Sequence, residues 1–193
     1  MINSFFSYNG LGVDIMSTFL PTILMGLGLS MDAFSLAILY GTLSFNKRQA
    51  ITLSMIVGAF HFFMPLFGFH FGNFVFQMLS INAHVLIGII FTIIAIQMFT
   101  SLNKEEELIT LKNFGSLLLF GFTASIDSFT VGIGLSAINE NIYLAAFIFC
   151  LTSALFTLLG LLMGKKLNKV FGQISVLIGS IILFGLGIYY FFF

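Results

Sequence analysis

Apolar residues dominate this chain in long unbroken runs, separated by short polar clusters. A helix that crosses a bilayer needs about 20 mostly apolar residues. Six segments meet that length, at 18–41, 49–71, 83–101, 114–137, 142–163 and 171–192. A transmembrane barrel would instead show short strands of alternating polarity; these runs are continuous, so the pattern predicts helices. The expected fold is an all-α membrane protein with six transmembrane helices. Residues 1–17 break the pattern, with Asn3, Ser7, Asn9, Gly10 and Asp14 among the apolar positions. No basic region precedes an apolar stretch there, so this is not the pattern of a signal peptide. It reads as a loosely ordered extension, and a start at Met16 would lose little.

The polar clusters carry an orientation signal. Lys47 and Arg48 fall between segments one and two, and Lys104 and Lys112 between three and four. Lys165, Lys166 and Lys169 fall between five and six. Those are all seven basic residues, and they lie on one side. Of the other connections, 72–82 is uncharged and 138–141 holds only Glu140. The positive-inside rule then predicts cytoplasmic basic loops and both termini outside.

Composition agrees. The chain is 59% hydrophobic and 7% charged, against about 25% charged residues in a soluble domain, with mean hydropathy +1.13. Seven acidic residues balance the seven basic ones, which gives no basic surface for nucleic acid. Cys150 is the single cysteine, so the chain holds no internal disulfide and no CxxC pattern. P-loop, GxSxG and HExxH motifs are absent, and the chain does not read as an enzyme or as a carrier of a resident cofactor. Glu105-Glu106-Glu107 reads as a solvated loop rather than a metal-capturing cluster.

Two pentapeptides carry the chemistry: Ser30-Met31-Asp32-Ala33-Phe34 and Ser125-Ile126-Asp127-Ser128-Phe129, 95 positions apart. Each puts one carboxylate at the middle of an apolar segment. Insertion there costs about 2.5–3.5 kcal/mol, which marks a functional group facing a cavity. The likeness extends outward. Gly26 answers Gly121, Gly68-x3-Gly72 answers Gly160-x3-Gly164, and Val85-Leu86-Ile87-Gly88 answers Val176-Leu177-Ile178-Gly179. Three segments per half is an odd number, so the second half enters from the opposite face. The expectation is therefore two inverted three-helix repeats, 18–102 and 114–193, joined by a charged cytoplasmic loop at 103–113, with one site at the midplane between them.

Around each aspartate, positions three or four residues away share its face. These are Gly28 and Ser35 for Asp32, and Thr123 and Thr130 for Asp127. Carboxylates with hydroxyls suit Mg²⁺, Ca²⁺ or Mn²⁺ better than soft metals. The competing account is a pair of protonated aspartates that only pin helices together. Ser30 and Ser125 lie on a different face and are expected to bond back to the carbonyl four residues earlier, with a ligand role as the alternative. His61 sits in a stripe with Ser54, Gly58, Pro65 and Gly68, where it is either a ligand or proton carrier, or a packed side chain bonded to a neighbour. The matching face of segment five holds Cys150, Ser153, Thr157 and Gly160, a milder chemistry. His70 and His84 read as interfacial, Gln97 has no counterpart in the repeat, and the glycine pairs read as packing surfaces within the bundle.

At these paired motifs the chain resembles the bacterial MntP-type manganese efflux pumps, within the lysine-exporter superfamily. The likeness runs through Gly26-Leu27-Gly28-Leu29-Ser30-Met31-Asp32-Ala33-Phe34, then Gly58 to Gly72 with Pro65-Leu66-Phe67-Gly68. It continues through Ser125-Ile126-Asp127-Ser128-Phe129 and Val131-Gly132-Ile133-Gly134-Leu135. The resemblance implies an inner-membrane exporter in which Asp32 and Asp127 are essential. It also implies an acidic residue in the stretch Gly58-Ala59-Phe60-His61, where this chain has histidine. The exchange removes one negative charge and adds a softer ligand.

The reading is a secondary transporter that exports Mn²⁺ as its substrate, held by Asp32 and Asp127 with Ser35, Thr130 and His61. Proton antiport fits the charge balance. Three alternatives remain at this point: export of another divalent metal, export of a cationic amino acid, and a non-transporting scaffold of the sporulation-associated type. No intramembrane Arg or Lys is present to clamp an amino-acid carboxylate, which favours a bare cation. The chain leaves open whether the protein acts as a monomer or a homodimer.

Overall fold

The computed structural model describes residues 3–42, 46–78, 83–102, 113–137, 141–164, 166 and 169–192. Seven helices are present among them: α1 (Asn3–Gly41), α2 (Lys47–Met78), α3 (Ala83–Ser101), α4 (Phe114–Thr123), α5 (Ile126–Ala137), α6 (Ile142–Met163) and α7 (Lys169–Phe192). No strand occurs among the described residues. The helices follow the apolar segments closely, since only helices satisfy every backbone N–H and C=O within an apolar run. Four have stretches long and apolar enough to cross a membrane: Leu20–Gly41, Lys47–Phe74, Ile142–Met163 and Val170–Phe192. The apolar part of α3, Val85–Ser101, is shorter. α1 starts at Asn3, well ahead of the first segment, and α2 continues beyond 71 to Met78.

The fourth segment differs from the expected single helix. It is broken at Ala124–Ser125 into α4 and α5, which meet at a bend of 42° and together make a fifth candidate span. Hydroxyls next to the break divert backbone carbonyls. Thr123 donates to the Leu119 carbonyl at 2.8 Å, and Ser125 shares its proton between Gly121 at 2.8 Å and Phe122 at 3.0 Å. Back-bonding of this kind bends helices.

Small residues set the packing. α6 lies along α1, where a Cβ on Gly160 would stand 2.7 Å from the Ala37 Cβ and 2.9 Å from the Phe34 carbonyl oxygen. α2 lies along α5 in the same manner. A Cβ on Gly72 would stand 2.8 Å from the Ile133 carbonyl oxygen, and one on Gly68 would overlap the Phe129 carbonyl. The glycine pairs thus bring backbones together inside this chain, as small residues do between membrane helices. α3 pairs with α7, and α7 also packs on α1. The buried interior centres on Met25, Leu29, Phe91, Leu135, Phe149 and Leu183. Phe63, Phe67, Phe71 and Phe74 point outward along α2, an apolar exterior that suits lipid. The loops that carry Lys104, Glu105-Glu106-Glu107, Lys112 and Glu140 lie outside the described residues.

Candidate functional site

The two aspartates stand in unlike backbones despite their matching motifs. Asp32 sits mid-way along the Leu20–Gly41 stretch of an unbroken helix. Asp127 sits in the first turn of α5, directly after the break. Ser125 bonds the carbonyl four residues back, as its sequence position suggests; Ser30 instead donates to Leu27, three residues back, at 2.9 Å. One oxygen of Asp127, Oδ1, accepts the Ser128 backbone N–H at 2.8 Å. Its Oδ2 is buried with no hydrogen-bond partner among the described residues. The start of α5 presents the positive end of a helix dipole to this carboxyl group. Asp32 and Asp127 are near enough for their charges to repel when both are ionised.

His61 is fully buried in α2. Its Nδ1 lies 2.9 Å from the Val57 carbonyl oxygen. A carbonyl can only accept, so Nδ1 carries the proton and Nε2 of the neutral ring keeps its lone pair. Nε2 is buried and has no partner among the described residues. Pro65, four residues on, has no N–H and leaves the His61 carbonyl without its helical donor. The neighbouring contacts place His61 along α4 and α5. A Cβ on Gly121 would stand 2.8 Å from the Phe60 ring, and one on Gly132 would stand 2.7 Å from the Pro65 Cα. His61 lies between Phe60 and Pro65, level with the break that precedes Asp127. Among the described residues no three His, Cys, Asp or Glu side chains come together, so His61 does not form a three-residue cluster with both aspartates.

The hydroxyls divide. Ser35 is half-buried at the seam with α7, where a Cβ on Gly172 would stand 3.0 Å from its Oγ. Thr130 is half-buried on α5, and Thr123 is exposed. His70 and Gln97 are exposed, and Cys150 is half-buried. Ser128, Ser153 and Thr157, which the motif reading did not place in the site, are fully buried, and their hydroxyls have no partner among the described residues. A sequence signal for two of them existed. Ser128 lies inside the second pentapeptide, and Ser153 follows His61 by 92 positions, the offset that separates Gly68 from Gly160.

Long apolar helices packed around two carboxylates and a histidine define a multi-pass helical membrane protein with an ionisable interior. The chain belongs to the MntP family: the family model described as "Putative manganese efflux pump" matches residues 44–191. A Bacillus pumilus protein named "Putative manganese efflux pump MntP" is 32% identical over 176 residues, which is 91% of this chain and 96% of that protein. Proteins of the same name from Bacillus mycoides and Bacillus thuringiensis are 34% and 33% identical over 175 residues, 88% of this chain and 94% of each relative. Alignments that cover this much of the chain include both aspartate motifs, since each lies further from the termini than the uncovered share. No solved structure matches the chain.

Proposed function

We propose that this protein is a secondary transporter that exports Mn²⁺ from the cytoplasm, with Asp32 and Asp127 as the charged ligands. The observation that carries the reading is the Oδ2 of Asp127, buried with no partner among the described residues and near enough to Asp32 for the two charges to interact, in a chain whose relatives are named manganese efflux pumps. Two ionised carboxylates neutralise one divalent ion, so the loaded site carries no net charge. Protonating the emptied aspartates keeps the return step near neutral, and this makes the exchange a proton antiport. Thr130, Ser35 and the Nε2 of His61 complete the ligand set as the carrier moves between its states.

The architecture of the proposal has six spans: α1, α2, α3, the bent α4–α5 pair, α6 and α7. They form two inverted repeats, with the charged loop cytoplasmic and both termini outside. The reciprocal packing supports it, because the glycine pair of α6 meets α1 as the glycine pair of α2 meets α5. A two-fold axis in the membrane plane would produce that exchange. The imidazole of His61 favours one second reading, export of a softer divalent metal.

Purified protein in liposomes, challenged in turn with Mn²⁺, Cd²⁺, Ca²⁺ and lysine, tests both. Mn²⁺ movement that depends on both aspartates is expected. Movement of lysine but no metal, or of no solute at all, overturns the reading.

A further inference from the structure

Most hydroxyls in these helices are spent on their own backbone. Thr152 donates to the Ile148 carbonyl at 2.9 Å, Ser125 to Gly121 at 2.8 Å and Ser175 to Phe171 at 2.7 Å. This is the ordinary fate of a hydroxyl within a helix. Ser153 and Thr157 of α6 depart from it. Both have no exposed surface, yet neither Ser153 Oγ nor Thr157 Oγ1 has a hydrogen-bond partner among the described residues. Buried polar atoms are nearly always paired, so two orphans one turn apart on the same face need a cause.

Their position supplies one. Thr152 Oγ1 also reaches the Gly26 carbonyl of α1 at 3.2 Å, and a Cβ on Gly160 would stand 2.9 Å from the Phe34 carbonyl oxygen. α6 and α1 run parallel between these two contacts. Ser153 and Thr157 fall between them and are level with the stretch of α1 that contains Asp32. Four residues of helix rise about 6 Å, so the two oxygens are spaced as successive ligands rather than as one shared bond. α6 also packs on α2, where a Cβ on Gly58 would stand 2.9 Å from the Ala154 Cβ, and His61 and Pro65 of α2 stand 92 positions before Ser153 and Thr157. By that offset, the stretch of α2 that meets α5 has an imidazole and a proline where the stretch of α6 that meets α1 has two hydroxyls.

We infer that Ser153 and Thr157 form a hydroxyl ladder beside Asp32 that binds the transported divalent cation and sets the preference for a hard metal. The inference rests on the Mn²⁺ export reading and adds its selectivity. Hydroxyl oxygen suits Mn²⁺ and Mg²⁺, whereas a thiolate in the same place suits Cd²⁺.

Thr157→Val keeps the shape and Ser153→Ala removes one atom. Because these hydroxyls have no partner among the described residues, their loss leaves thermal stability equal or higher. The same variants in liposomes raise the KM for Mn²⁺ by about tenfold each, on the scale of a lost bond to a charged group. Ser153→Cys shifts the preference from Mn²⁺ toward Cd²⁺. Two results overturn the inference while Mn²⁺ export by the wild type stands. One is an unchanged KM in both Thr157→Val and Ser153→Ala. The other is a fall in thermal stability in both, which would show that the hydroxyls are structural. Wild-type protein that moves no Mn²⁺ overturns the export reading and the ladder together.

Discussion

His61 and Val57 are joined within one turn of α2, with Nδ1 2.9 Å from the carbonyl oxygen. That bond decides which nitrogen of the ring is available, because it commits Nδ1 as donor and leaves Nε2 with a lone pair in the buried interior. Glutamine keeps a polar side chain but removes the ring nitrogen. Glutamate supplies the acidic group that the family resemblance implies here. In liposomes, His61→Glu is expected to support Mn²⁺ efflux and His61→Gln to impair it. The relative rate for Cd²⁺ should fall in both, since each loses the softer ligand. Unchanged Mn²⁺ and Cd²⁺ kinetics in His61→Gln would make His61 a packing residue.

The aspartates are expected to act as charges rather than as helix pins. Asp32→Asn and Asp127→Asn preserve size and hydrogen bonding but remove the charge that balances a divalent ion. Each should abolish manganese resistance in an exporter-deficient bacterium at normal membrane levels. Full resistance in either variant would favour a scaffold role.

Gly160 should tolerate no side chain. Its Cβ would stand 2.7 Å from Ala37, so Gly160→Val forces α6 from α1 and should cost roughly 1–3 kcal/mol as overpacking. Gly185 provides the contrast, because a Cβ there meets no atom within 4 Å. Gly185→Ala should be neutral or stabilising, by up to about 1 kcal/mol. Thermal unfolding of the two purified variants in detergent checks the pair, and equal melting temperatures would argue against the close α1–α6 contact.

The proposed topology puts Glu140 and Lys166 on opposite faces. Single cysteines at these positions, in a Cys150→Ser background, should label from outside and from the cytoplasm respectively. Labelling of both from one side would end the inverted-repeat proposal.

The course of the backbone was largely legible in the sequence. The bounds of α3 and α6 fall where the apolar segments do, because helix is the only open-ended way to satisfy a backbone without water, and polar clusters fix where it must stop. The place of the two aspartates inside long apolar helices was legible as well, and the cost of a carboxylate there is what marks them as candidates. The break before Asp127 was not legible. Ser30 and Ser125 occupy the same place in matching motifs, and one lies in a continuous helix while the other lies at a bend of 42°. The outcome depends on which carbonyls the neighbouring hydroxyls reach, and on the bulk of Ile56 and Phe60 against Gly121. Nor could spacing separate Thr152, bonded to its own helix, from Ser153 and Thr157, buried without partners among the described residues. Hydropathy is a property of each residue and can be read along the chain. Whether a buried hydroxyl finds an acceptor depends on atoms that folding brings from other helices, and only the tertiary structure decides it.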